Sequence, residues 1–159
     1  MSRSQIQIDS RATEETPLDP VTIAIAATFT AEPLAESLKF WVQNLQLQAQ
    51  IEFAPYNHVM QCLLDPGGLF ARNKGGINVV LLRFEDWKRF REGTSRNGDS
   101  LGEQVKELIG ALETAARRIA SPVLVCVCPA STQALNDPEQ AALFGQAERT
   151  LWPHWPSRR

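Results

Sequence analysis

Gly75-Gly76-Ile77-Asn78-Val79-Val80-Leu81-Leu82-Arg83-Phe84-Glu85-Asp86-Trp87 decides the fold. From Ile77 to Leu82 the run is short, nearly all apolar and rich in β-branched residues. Such a run reads as a strand covered on both faces, the setting of a parallel sheet. The glycine pair ahead of it is a turn signal, and the charged cluster behind it marks the strand's carboxyl end.

Working outward, Val21 to Ala27 repeats the apolar run upstream. Pro33 follows at a helix-start position, and Leu34, Leu38, Trp41, Val42 and Leu45 then recur at helical spacing. Gln50 to Ala54 is another short strand, broken by Pro55, and Asn57 to Leu64 a short helix stopped by Asp65-Pro66-Gly67-Gly68. Downstream, residues 91–98 are polar and loop-like. Ser100-Leu101-Gly102-Glu103 has the form of a capping box, opening a long amphipathic helix that Pro122 ends. Val123 to Cys128 is the fourth strand, and Pro138 to Leu151 the last helix. Strands alternating with helices predict an α/β fold: a three-layer α/β/α sandwich with a short parallel sheet near 22–27, 50–54, 77–82 and 123–128. Residues 1–20 read as a flexible lead-in, 21–152 as a single α/β domain and 153–159 as a C-terminal tail.

The 159 residues are 43% hydrophobic, enough for one domain with a sizeable core. Sixteen Lys and Arg against 18 Asp and Glu give a charge of −2, with no electrostatic case for nucleic acid or an anionic membrane. No apolar run is long enough to span a bilayer. The polar N-terminus lacks the apolar stretch of a secretory signal, and three cysteines make no disulfide framework. The expectation is a cytoplasmic protein with reduced thiols.

In open parallel sheets ligands bind beyond the carboxyl ends of the strands, so the candidates lie there. Thr28 and Thr30 could each supply a nucleophile if a base stood beside them; otherwise Thr30 is a helix cap. Tyr56, Asn57 and His58 follow the second strand, and His58 is the natural base of a dyad or else a structural residue. Strand alternation sends Arg83 and Glu85 to one side and Asp86 to the other. They would bind a polar ligand, or form an ion pair with Asp86 capping a helix. Cys126 and Cys128 read as small core hydrophobes, and no set of ligands has the spacing of a metal site. No phosphate-binding glycine loop and no G-x-S-x-G is present.

Several strings together resemble a known family. Thr28-Phe29-Thr30-Ala31-Glu32-Pro33-Leu34 is similar to its "S/N-F-T-x-x-P-L" opening, and Ala54-Pro55-Tyr56-Asn57-His58 to its "A-P-Y-N-Q" block. Leu64-Asp65-Pro66-Gly67-Gly68-Leu69 resembles its "L-x-P-x-S-x-L" turn, and Arg83-Phe84-Glu85-Asp86 its "R-L-E-D". The family is the N-terminal, SGNH-hydrolase-like domain of FkbH-like proteins, found in polyketide and nonribosomal peptide assembly lines. The resemblance implies a flavodoxin-like sandwich and places Thr28 where an SGNH hydrolase has its serine. The downstream D-x-x-H of such hydrolases is absent, since Leu151 stands three residues before His154, and no D-x-D-x-T of the glyceryl-loading domain is present. The expectation is therefore a non-catalytic domain needing no cofactor. It would bind a carrier protein, a neighbouring module or a pantetheine-linked acyl group through Tyr56, Asn57, His58, Gly67, Arg83, Glu85 and Asp86. The alternative is an acyl hydrolase or acyltransferase using Thr28 or Thr30. Oligomeric state is left open.

Overall fold

Ile77–Leu82 is a strand, as its apolar run predicts, and it lies inside the sheet. The protein is described here from a computed structural model covering residues 21–87 and 101–152. Within it β1 (Val21–Ala27), a 3-10 turn (Glu32–Leu34), α1 (Ala35–Asn44), β2 (Ala49–Phe53), α2 (Val59–Leu64) and α3 (Leu69–Arg72) precede β3 (Ile77–Leu82). Then come α4 (Leu101–Arg118), β4 (Val123–Val127), α5 (Thr132–Leu135) and α6 (Pro138–Leu151). All strand pairs are parallel, in the order β2-β1-β3-β4. The fold is α/β, with helices flanking a four-stranded parallel sheet.

The order explains where the core lies. The chain steps one way from β1 to β2 and the other way from β2 to β3 and from β3 to β4. Right-handed crossovers therefore put α1 on one face and the later helices on the opposite face. Ala24, Ala26, Val80 and Leu82 point to the second face. They join Val59, Leu63, Phe70, Val105, Leu108, Ala115, Phe144 and Leu151 in one cluster. Asp137 caps α6 by accepting from the Glu139 and Gln140 N–H groups, and Pro138 follows as the first helical residue.

Helices lie on both sides of the sheet, a three-layer α/β/α sandwich as expected, and β1 is buried on both faces, with Ile25 and Ala27 covered on the first; away from β1 that face is more open. α1 has no fully buried residue, and Phe40, Trp41 and Leu45 are more than half exposed. Among the described residues α1 is the helix on this face, and it contacts β2 rather than the full width of the sheet. Cys126, which pairs in register with Leu81, shares this face and is half-buried, as is Cys128; neither thiol is a core residue.

A buried polar cluster closes the amino edge. The Asn73 side-chain amide donates to Thr22 O at 3.1 Å, to Ile77 O at 3.3 Å and to Asn78 Oδ1 at 3.0 Å. Asn78 donates to Phe70 O at 3.4 Å, and Ser121 Oγ to Asn73 O at 2.6 Å. Gly76 is required there: a Cβ would come within 1.8 Å of Thr22 O. The expected lead-in, capping residue Ser100, loop 91–98 and tail lie outside the described residues.

Candidate functional site

The loops at the carboxyl edge are tied to one another strand by strand. Asn57, held at φ 56°, donates its N–H to Ala27 O at 3.1 Å. Thr28 joins β1 to the end of β3: its Oγ1 accepts the Arg83 N–H at 2.9 Å and donates to Arg83 O at 3.3 Å. Cys128 N–H donates to Leu82 O at 2.6 Å, and Glu85 accepts the Ser131 N–H at 2.8 Å. Ser131 in turn caps α5 by accepting from Ala134 N–H.

β3 stops at Leu82 and residues 84–87 turn helical. Strand alternation therefore does not carry past Leu82, a correction to the expected sides of Arg83, Glu85 and Asp86. The helical turn instead brings Arg83 and Asp86 together, three residues apart, with Arg83 Nε donating to Asp86 Oδ2. The hydrogen bond to Asp86 holds the Arg83 guanidinium above its ordinary range, so it is a permanent cation. Its Cζ lies 4.9 Å from the centre of the Phe29 ring, a cation–π contact. The Asp86 side chain is only 11% exposed, whereas Arg83 keeps 36% open to solvent. Asp86 anchors the guanidinium over the Phe29 ring.

The candidates divide accordingly. Thr28, Asn57, Arg83, Glu85 and Asp86 belong to the tied edge, and exposed Tyr56 borders it. Thr28 is 1% exposed and its hydroxyl is engaged in both directions by the Arg83 main chain. Thr30 is exposed and caps nothing, because the 3-10 turn starts from Ala31 without a side-chain cap. The His58 ring is exposed, and its Nδ1 meets the Tyr56 carbonyl oxygen at 2.9 Å. With Nδ1–H as the donor, Nε2 is left as the acceptor. Gly67 is not brought to this edge. It lies beyond α2, where its N–H donates to Asp65 Oδ1 and its carbonyl accepts from Arg72. The end of α2 there meets the end of α4, through Arg118 donating to Leu63 O at 2.9 Å.

Two neighbours of the site went unmarked by sequence reasoning. Cys128 sits near enough to Arg83 to feel its charge. Burial and the second thiol, Cys126, push the Cys128 thiol up, while Arg83 pulls it down. Phe29 lies beneath the guanidinium, and the Phe-to-Arg separation of 54 positions left no local signal. Among the described residues no three His, Cys, Asp or Glu gather as a metal site.

No protein-family model matches the chain, and neither does any curated protein. Among solved structures it is similar to the N-terminal part of the protein BF1531 from Bacteroides fragilis, described as containing a phosphatase domain complexed with Mg. The TM-score is 0.62 and the identity 12%, over 86% of this chain and 37% of that one. This likeness shows the fold alone, and the chain spans little more than a third of that neighbour. Among the described residues no helix is long and apolar enough to cross a membrane.

Proposed function

We propose that this chain is a non-catalytic SGNH-like domain of a polyketide or nonribosomal peptide assembly line. It binds the phosphopantetheine arm of a carrier protein at the carboxyl edge of its sheet. The observation that carries this reading is the state of Arg83. The guanidinium is held by Asp86 and Phe29, yet 36% of the Arg83 side chain faces solvent. A pre-positioned, planar donor of this kind suits a phosphate, which it can hold with two parallel hydrogen bonds. Tyr56, 48% exposed in the loop after β2 at the same edge of the sheet, offers an apolar ring and a phenol to the rest of the arm.

Support for a binding role over hydrolysis comes from Thr28, whose hydroxyl is buried and spent on main-chain bonds. A serine-type nucleophile needs an adjacent base to take its proton, and His58 points Nδ1 at its own neighbour's carbonyl. The test pairs titration calorimetry of the protein against a phosphopantetheinylated acyl carrier protein with nitrophenyl-ester and acyl-thioester assays. Binding with no hydrolysis above background is expected. Turnover abolished in Thr28→Ala or Thr30→Ala would establish the hydrolase instead.

A further inference from the structure

β2 stands at one end of the strand order, and α2 and α3 enclose with it a cavity of about 290 Å³. Glu52 of β2, Pro55 and His58 of the following loop, Asp65 after α2 and Arg72 of α3 are among its lining residues. Pro55 and His58 follow the end of β2, so the cavity reaches the carboxyl edge of the sheet.

Its polar groups favour a donor. Glu52 pairs in register with Ala24 near the end of β2, and among the described residues its carboxylate meets no cation. His58 spends Nδ1 on the Tyr56 carbonyl and keeps Nε2 as an acceptor. Arg72 is the lining cation, and it is engaged in its own turn: it donates to Gly67 O at 3.2 Å, while Gly67 N–H donates to Asp65 Oδ1 at 2.9 Å. The two carboxylates of the lining, Glu52 and Asp65, thus outnumber its one guanidinium.

We propose that this cavity receives the group carried at the end of the carrier-protein arm, and that the group is an aminoacyl whose ammonium donates to Glu52 and His58. The proposal rests on the reading of Arg83 as the phosphate site. From phosphorus to sulfur the arm has about thirteen bonds and extends roughly 15 Å. β2 lies two strands from β3, roughly 10 Å away at the usual strand spacing. An arm held by its phosphate at Arg83 is therefore long enough to cross the loop after β1, pass Tyr56 and bring its thioester to the cavity. The volume suits a small group, since pockets for drug-sized ligands begin near ~300 Å³. An ammonium gains charge-assisted hydrogen bonds there, whereas an alkyl group takes water from Glu52 and returns no partner.

Calorimetric titration of the full chain with one carrier protein in three forms tests this. The arm ends in a free thiol, in alanyl or in isobutyryl, the last two amide-linked so that they do not hydrolyse. Isobutyryl has the shape of alanyl with a methyl in place of the ammonium. Alanyl is expected to bind at least about threefold more tightly than isobutyryl, within the range of a partly exposed ion pair. Glu52→Gln should abolish that preference, whereas a variant that merely folds less well lowers both affinities and keeps their ratio. Equal affinity for the two acyl arms, or a preference that survives in Glu52→Gln, would overturn the proposal while the thiol arm still binds. No binding by any of the three forms would overturn the Arg83 reading and the proposal with it.

Discussion

The Thr28 hydroxyl bridges both main-chain groups of Arg83, accepting its N–H at 2.9 Å and donating to its carbonyl oxygen at 3.3 Å. One buried side chain thus fixes where β3 ends and where the Arg83 guanidinium starts. Thr28, which the resemblance places at the nucleophile position, is here a brace for the Arg83 main chain.

Removing that brace has a defined cost. Thr28→Val keeps the shape but strands the buried Arg83 N–H, while the Arg83 carbonyl still accepts from the Asp86 and Trp87 N–H groups; the loss should cost about 1–3 kcal/mol. Thr28→Ser retains the hydroxyl and should cost less. Urea unfolding of the two variants measures the difference, and equal stabilities would refute the bracing role.

The amino edge makes a second demand. Asn78 is fully buried and joins Asn73 to the Phe70 carbonyl. Asn78→Ala should lower stability by about 1–3 kcal/mol through unpaired polar groups. Gly76→Ala should be worse, because its new methyl meets the β1 main chain. Thermal melts rank the two.

Very little of the Asn73–Asn78–Ser121 cluster was legible in the sequence, since its partners lie up to 51 positions apart. The strands were legible, because each is a short apolar run whose periodicity is local. The helix-start signal of Asp137-Pro138 also lies within two adjacent residues. The burial of α1 was not readable: helical spacing marks an apolar face, but the strand order decides how much of it is covered. The Arg83–Asp86 pair was missed for a related reason. Strand alternation was extended past Leu82 into residues that coil as helix, where residues three apart meet.

Exposure of α1 leads to a third expectation. Trp41, 55% exposed, should tolerate Trp41→Gln within about 0.5 kcal/mol. A large loss of melting temperature would show the residue to be buried in solution.

Cys62 gives a pH dependence. Burial, reinforced by Asp65, pushes its thiol up from 9.0 to about 11. The folded state therefore favours the protonated thiol. This contribution is whole below pH 9 and declines as pH rises toward 11. Cys62→Ala should flatten the alkaline fall in stability between those limits, and an unchanged slope would count against the assignment.

The central claim is that Arg83 holds the phosphate of a carrier-protein arm. Its most direct measurement is calorimetric titration of parent and Arg83→Lys with one phosphopantetheinylated acyl carrier protein, alongside thermal melts. Lysine keeps a cation beside Asp86 but loses the planar fork. Affinity should fall at least fivefold while the melting temperature stays within a few degrees of the parent. Equal affinity in the two proteins, or no binding by the parent, would contradict the account.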